Sequence, residues 1–333
     1  MKRIPAAIIG LSGQGAEFLS AVRDSRRFHL LAIADADAGL VRAAAEASGA
    51  KGYTDYRSLV VEQAGEKLEA LFVALEPFES VEYLTLAATH GIHVFHQAPV
   101  GRCVEEASSA GSALAECDRL LTVGRYFSAE PAYAALSEIE THIGPVHFAT
   151  AEVHVAAQDL SGWRGDSVRA GGGVLIQGAY TAIDVLVGVL GLPDEVTACL
   201  SWRKSASSAR PYDTEDAAIV SMRFSDERIA QLSATRGGAR DDWRVTFFGG
   251  QGSAEVSPDR LRIKQPGGVD HWSVVRASNR FAAQIDDFAR ALRDPDWPRR
   301  STGDDHLDTI AVIEAAYLSA KTNTPENPSR FGR

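Results

Sequence analysis

The sequence predicts a doubly wound α/β domain with a parallel sheet, followed by an α+β domain built on a large, mostly antiparallel, open-faced sheet. Three observations carry this expectation. The chain has 333 residues, longer than a single hydrophobic core usually serves, so two domains are expected. Up to about Val123, short apolar runs alternate with helical patterns, as in parallel strands joined by crossover helices. Beyond Gly124, strand-like segments follow one another through turns, as antiparallel strands do. The expected domains are therefore 1–123 and 124–333.

The elements follow in order. Ile4 to Ile9 reads as the first strand, with Pro5 confined to its first turn because it lacks a donor. Gly15 to Arg23 is a helix, Leu30 to Ala34 a strand and Val41 to Ser48 a helix. Leu71 to Leu75 is a strand, Val81 to His90 a helix closed by Gly91, and Ile92 to Phe95 a strand. Glu105 to Cys117 is helical, and Leu120 to Val123 returns to the sheet. In the second half, Val146 to Val155, Thr197 to Lys204, Ala217 to Phe224, Ile229 to Thr235, Arg244 to Phe248, Ser253 to Val256 and Leu261 to Lys264 are strands. Ala282 to Arg293 and His306 to Ser319 are amphipathic helices. The polar, Pro-containing tail from Thr322 to Arg333 is expected to be poorly ordered.

Composition narrows the function classes. With 45% hydrophobic and 23% charged residues and a formal charge of -10, the chain reads as a globular protein without the basic surface that nucleic acid requires. The apolar start Ile4 to Ile9 stops at a glycine turn instead of a cleavage pattern, so it reads as a buried strand and not a secretion signal. No stretch has the roughly 20 apolar residues needed to span a bilayer, and a cytoplasmic location is the expectation. Cys103, Cys117 and Cys199 are widely spaced and read as reduced structural thiols.

The most informative segment is Gly10-Leu11-Ser12-Gly13-Gln14-Gly15, which leaves a strand and opens a helix. That is the context of a dinucleotide fingerprint. The first glycine permits the turn, the last lets helix and strand approach, and the helix N-terminus offers N–H groups to a pyrophosphate. The middle glycine is replaced by Ser12. Asp35 ends the second strand about 20 residues on, where a carboxylate receives ribose hydroxyls and repels a 2'-phosphate, so NAD(H) is expected over NADP(H). Asp37 reinforces the sign. A strand-to-helix turn that binds nothing is the bland alternative.

Gly10 to Gly15, Ala34-Asp35 and Gly91 to Val100 together resemble the N-terminal domain of the Gfo/Idh/MocA oxidoreductases. The later segments Trp163-Arg164, Gly171-Gly172-Gly173-Val174-Leu175, Ile183-Asp184, Asp213-Thr214-Glu215-Asp216, Phe248 to Ser253 and Glu314 to Ser319 resemble the same family in the same order. The resemblance implies a Rossmann domain, then a sheet that lines a substrate pocket and commonly makes subunit contacts, hence a homodimer or homotetramer. It implies cofactor contacts at Gly10, Ser12, Gly13, Gln14, Gly15, Asp35, Leu75, Glu76, Pro77 and Gln97. Glu76-Pro77 stands where the family usually shows Thr-Pro.

The chemical positions depart from the family pattern. Members usually carry Glu-Lys-Pro where this chain has Gln97-Ala98-Pro99, and an Asp and a His, four residues apart, where it has Gln177 and Thr181. None of the three replacements titrates near neutral pH, and losing one general acid or base typically costs a factor of roughly 100 to 10,000. Tyr180 is one candidate donor to a developing oxyanion, or else a packed tyrosine. His96 is either a group titrating near pH 7 or a residue in a packed layer. His90, His93 and His96 share a spacing that Gly91 and strand geometry make unsuitable for a metal, and none is expected. Trp163 and Arg164 read as a substrate-gripping loop or a stacked structural pair, and His154 and Asp159 read as pocket or surface residues.

The expected activity is an NAD(H)-dependent oxidoreductase acting on a small polar, imine-like or sugar-like metabolite with non-standard acid-base residues. The alternatives are a non-catalytic ligand sensor and a non-redox protein that retains the fold.

Overall fold

Fully apolar strands need cover on both faces, and the N-terminal half of the chain supplies it with helices between parallel strands. The computed structural model describes residues 2–65, 67–125, 136–202, 212–258, 260–268, 270–274, 280–298, 302, 304 and 306–331. The first sheet contains β1 (Ile4–Ile9), β2 (Phe28–Ala34), β3 (Lys51–Tyr53), β4 (Ala70–Val73), β5 (His93–Gln97) and β6 (Leu121–Gly124), in the order β3-β2-β1-β4-β5-β6. All its pairs are parallel. The intervening helices are α1 (Gln14–Asp24), α2 (Ala38–Ser48), α3 (Tyr56–Gly65), α4 (Pro77–Thr89) and α5 (Val104–Glu116). Pro5 is the second residue of β1, ahead of the first β4 pairing at Ala6, and its carbonyl accepts from the Glu69 N–H at 3.0 Å. Its missing donor therefore costs the sheet nothing.

The core of this unit is aromatic. Phe18 meets Phe95 edge-on at 5.5 Å, and Phe28 meets Phe72 edge-on at 5.1 Å. Phe281 and Phe288, from α10 (Arg280–Ala291), complete it at 4.8 Å from Phe18 and 6.1 Å from Phe28. Residues Ser278–His306 consequently group with Met1–Gly101 and Glu106–Ala129 in one compact unit, while Arg102–Glu105, Glu130–Ala277 and Leu307–Arg333 form the other. The periodicity of α10 shows an apolar face, but only packing shows which core receives it.

Among the described residues of the C-terminal unit, eight strands lie in the order β14-β13-β12-β11-β7-β10-β9-β8. They are β7 (Val146–Ala156), β8 (Glu195–Ser201), β9 (Ala217–Arg223), β10 (Ile229–Gly238), β11 (Asp242–Gly249), β12 (Gly252–Ser257), β13 (Arg260–Lys264) and β14 (Asp270–Val274). Every pair is antiparallel except β7 with β10. Burial alternates along the strands, so one face joins the core and the other stays open. Helices of this unit are α6 (Ile139–Ile143), α7 (Ser167–Ala170), α8 (Val174–Gln177), α9 (Tyr180–Leu190) and α11 (Leu307–Thr322). Buried Asp184 on α9 accepts from the Thr309 hydroxyl of α11 at 3.0 Å, which gives that carboxylate a structural role.

Several expectations need correction. β3, α3 and β14 occupy stretches where no element was expected; β3 has only three residues, too few to display a period. The predicted strand end at Lys204 lies outside the described residues. The tail expected to be poorly ordered is built into the fold: Glu326 pairs with Val196 on the edge strand β8, and Pro328–Phe331 forms a 3-10 turn. That pairing satisfies backbone groups an open edge would expose. Among the described residues the cysteines form no disulfide, and Cys117 and Cys199 are exposed. Among the described residues no single helix is long and apolar enough to cross a membrane.

Candidate functional site

The N-terminal candidates converge at the carboxyl edge of the parallel sheet, the edge at which open α/β sheets bind ligands. Gly10 has φ 82°, and a Cβ on it would lie 2.4 Å from the carbonyl oxygen of Ala74. A Cβ on Gly15 would lie 2.1 Å from the carbonyl oxygen of Gly10. The turn is thus tighter than any side chain permits. Ser12, Gly13 and Gln14 are exposed, and α1 begins without a side-chain cap. Uncapped N–H groups at the positive end of an 11-residue helix suit a dinucleotide pyrophosphate, so the residues present fit that group.

Asp35, 8% exposed, follows β2. Its Oδ2 accepts from the Leu11 N–H at 2.7 Å, and its Oδ1 accepts from the Asp37 N–H at 2.9 Å. The carboxylate braces the glycine turn from across two strands and keeps a lone pair on each oxygen for a hydroxyl donor. Asp37 itself caps α2 by accepting from the N–H groups of Gly39 and Leu40. On α3, the Tyr56 hydroxyl accepts from the Ala36 N–H at 3.4 Å, and burial together with the Asp35 charge pushes its pKa up to about 12. Leu75 is buried beside Gly10. Glu76 precedes α4 without capping it, Pro77 taking the first helical position. Gln97 ends β5, and its buried Oε1 has no hydrogen-bond partner among the described residues.

His96 does not behave as a group titrating near pH 7. It is 1% exposed, its Nδ1 donates to the Gln97 carbonyl, and burial pushes its pKa down to about 4. It stays neutral in a packed layer. His93 has the same fate: its Nδ1 accepts from the Leu120 N–H at 2.9 Å, and burial with the nearby Arg119 charge lowers its pKa to about 4.

In the C-terminal unit the sequence motifs become one hydrogen-bonded assembly. Glu215, 2% exposed, accepts from the N–H groups of Gly173 at 2.6 Å and Leu175 at 2.9 Å and from the Tyr317 hydroxyl at 2.9 Å. It caps α8 from 40 residues away. The same arrangement explains the glycines: a Cβ on Gly172 would sit 2.0 Å from the Tyr317 Oη, and one on Gly173 would sit 2.1 Å from the Glu215 carbonyl oxygen. Burial and the Glu215 charge hold the Tyr317 pKa well above the usual phenol range.

Gln177 ends α8. Its Nε2 donates to the carbonyl oxygens of Gly172 at 2.6 Å and Arg164 at 3.1 Å. Thr214 donates its hydroxyl to that same Arg164 oxygen at 3.0 Å, and Arg236 Nη1 donates to Thr214 Oγ1 at 3.0 Å. The Arg164 guanidinium stacks on Trp163, 4.5 Å from its ring centroid. Tyr180 is buried at the start of α9 and Thr181 follows partly buried. Gln177 and Thr181 do not share one continuous helix as their spacing suggests, because the chain bends by 60° between the α7–α8 segment and α9. His154 is also displaced from expectation. It is exposed on β7 while its neighbours Val153 and Val155 enter the core, and Val155 faces Gly178, so His154 lies on the opposite face of the sheet from α8. Asp159 caps its own loop through Ser161.

Sequence reasoning missed Arg236 and the locking role of Glu215. One signal for Arg236 was legible: Ala230, Leu232, Ala234 and Arg236 share one parity on β10, so an arginine continues a buried row.

A glycine turn braced by a strand-end acid, followed by an open-faced mixed sheet, defines a two-domain dinucleotide-binding α/β protein. The chain belongs to the Gfo/Idh/MocA oxidoreductase family: residues 4–125 match "Oxidoreductase family, NAD-binding Rossmann fold" and residues 137–327 match "Oxidoreductase family, C-terminal alpha/beta domain". It is 24% identical over 341 residues to the uncharacterized oxidoreductase YrbE of Bacillus subtilis, covering 97% of this chain and 96% of the relative. It shares the fold of the WlbA dehydrogenase from Bordetella pertussis, solved with NADH and UDP-GlcNAcA, at 19% identity and TM-score 0.80 over 98% of this chain and 99% of that one. It also shares the fold of KijD10, a 3-ketoreductase from Actinomadura kijaniata solved with NADP, at 18% identity and TM-score 0.82 over 95% and 98% of the chains.

Proposed function

We propose that this protein is an NAD(H)-dependent oxidoreductase acting on a small polar, sugar-like or imine-like metabolite, at a site whose proton transfer does not use the family's usual lysine, aspartate and histidine. The observation that carries the cofactor reading is the bond from the Leu11 N–H to Asp35 Oδ2 at 2.7 Å, which ties the acid to the glycine turn. A carboxylate held there favours ribose hydroxyls over a 2'-phosphate, although relatives of this fold include one solved with NADP. The residues that would hold the dinucleotide are Gly10, Ser12, Gly13, Gln14 and Gly15 at the pyrophosphate and Asp35 at the ribose, with Leu75, Glu76, Pro77 and Gln97 beyond them. Bound there, the nicotinamide supplies a hydride donor or acceptor.

For the acid-base part, Ala98 carries no titrating group. The Gln177 amide is committed to two carbonyl oxygens, an arrangement only an N–H donor can satisfy. Tyr180, next to Gln177 and Thr181 in the chain, is the best remaining protic side chain, and an imine, already charged when protonated, asks least of it. We also place self-association on the open face of the C-terminal sheet, where Ile219 and Ile229 are 59% and 48% exposed.

Nicotinamide fluorescence during titration with NADH and NADPH tests the first claim, and turnover with ketosugars, polyols and cyclic imines tests the second. NADH is expected to bind at least ten-fold more tightly than NADPH. Failure of both nucleotides to bind, or NADPH binding better, overturns the cofactor reading. NADH binding without hydride transfer to any of the three substrate classes overturns the catalytic one. Sedimentation of an Ile219→Glu variant as a smaller species than the parent is the expected result for the association surface.

A further inference from the structure

Arg236 presents an unusual electrostatic situation. Among the described residues its half-buried guanidinium makes a single side-chain hydrogen bond, Nη1 to the neutral hydroxyl of Thr214. Nη2 is buried and has no hydrogen-bond partner among the described residues. Guanidinium remains protonated at any physiological pH, so this is a partly desolvated positive charge with one shielded nitrogen left without an acceptor, a costly arrangement unless something else supplies it. The nearest carboxylates do not. Both oxygens of Glu215 are occupied by Gly173, Leu175 and Tyr317, and Asp216 Oδ2 accepts from the Tyr212 hydroxyl at 2.8 Å. They temper the charge from a distance without pairing with it. Burial pulls the Arg236 pKa below its ordinary value while Glu215 and Asp216 oppose the shift, consistent with a charge that lacks a contacting partner.

The arginine also belongs to a wider network. The Arg164 carbonyl collects donors from both Thr214 and Gln177, so the bonds run from Arg236 through Thr214 and Arg164 to Gln177, the position at which the family resemblance implies a titrating acid. Gln177 in turn retains a buried Oε1 without a partner among the described residues. One end of the network thus offers surplus N–H donors on a cation, and the other offers an unpaired acceptor.

We propose that Arg236 recognises the carboxylate of an acidic substrate, and that the metabolite handled by this protein is a carboxylate-bearing polyol such as an aldonate or uronate. The inference rests on the oxidoreductase reading above and deepens it. A carboxylate against Nη2 provides both the missing acceptor and the missing countercharge, in the geometry guanidinium pairs best. A hydroxyl of the same ligand matches the Gln177 Oε1 acceptor. The exposed guanidinium of Arg164, the residue whose carbonyl joins this network, stacks on Trp163 and is a second cation of the same segment.

The test is calorimetric titration of the protein saturated with NADH, using two matched pairs of probes: D-glucuronate against D-glucose, and D-gluconate against D-glucitol. At least one acid is expected to bind more tightly than its neutral counterpart by 10-fold or more. Arg236→Gln is expected to remove about 10- to 100-fold of that acid's affinity, the scale of a charge-assisted bond, and to cost the neutral probes less, so that the acid loses its advantage. Arg236→Lys, which keeps the charge, is expected to recover part of the loss. If no acid binds better than its neutral partner, or if Arg236→Gln binds the acid as the parent does, the proposal fails. If Arg236→Gln fails to fold, acid affinity in Arg236→Lys equal to that of the neutral probe overturns it equally. Because NADH binding is measured first, these outcomes are distinct from failure of the cofactor reading.

Discussion

Glu215→Ala offers the sharpest check on how the C-terminal unit is held together. The substitution strips the acceptor from three buried donors at once: the N–H groups of Gly173 and Leu175 and the hydroxyl of Tyr317. Each orphaned donor costs about 1–3 kcal/mol. The parent also bears the desolvation cost of a carboxylate that is 2% exposed, and removing it offsets part of the loss. The net expectation is about 3–5 kcal/mol, a large share of the roughly 5–15 kcal/mol that keeps a protein folded. At about 2–4 °C per kcal/mol for a domain of this size, the apparent Tm falls by about 6 to 20 °C. Tyr317→Phe removes one of the three bonds and should cost about 1 kcal/mol. Scanning calorimetry of the two variants beside the parent measures both. A drop below about 2 °C for Glu215→Ala, or one no larger than that of Tyr317→Phe, would show that the carboxylate does not pin the triple-glycine segment.

Further outcomes follow from the same geometry. His96 has a folded pKa of about 4, below its unfolded 6.5. Protons therefore bind the unfolded chain preferentially, and the parent loses stability as pH falls from about 6.5 to about 4. The loss is about 2 kcal/mol at pH 5. Denaturant melts of His96→Leu should show a shallower acid limb, and a limb identical to the parent's would contradict the buried, neutral assignment. Asp35→Ala should weaken NADH at least ten-fold in a fluorescence titration and also lower Tm, since the Leu11 N–H loses its acceptor; lost affinity with unchanged Tm would refute the bracing role. Gln177→Glu turns an N–H donor into an acceptor facing two carbonyls. Its folded pKa should rise, so its Tm deficit against the parent should be larger at pH 8 than at pH 5, and the reverse trend would refute the assignment.

The resemblance of motifs made the family readable, yet the reasons behind those motifs were not. Gly171-Gly172-Gly173, Asp213 to Asp216 and the closing helix appear in the sequence as three separate signatures far apart in the chain. In space Tyr317 reaches Glu215, Glu215 reaches Gly173, and the glycines lack side chains because those partners occupy the room. Histidine exposed the opposite limit. His96 and His154 each allowed two readings, and strand parity and packing put one in a buried layer and the other on the far face of the sheet.

The sequence by itself determined what depends on local pattern. Alternation of period two or 3.6 located most strands and helices, and Gly10, Gly15 and Asp35 marked a dinucleotide turn through backbone constraints that few residue types satisfy. Tertiary structure alone decided the long-range partnerships. Phe281 and Phe288 carry a late helix back to the first core, Glu326 closes a sheet edge, and Arg236 meets Thr214 instead of a carboxylate. Such choices depend on which surfaces bury each other and which donors find acceptors, and neither is encoded within a short window of residues.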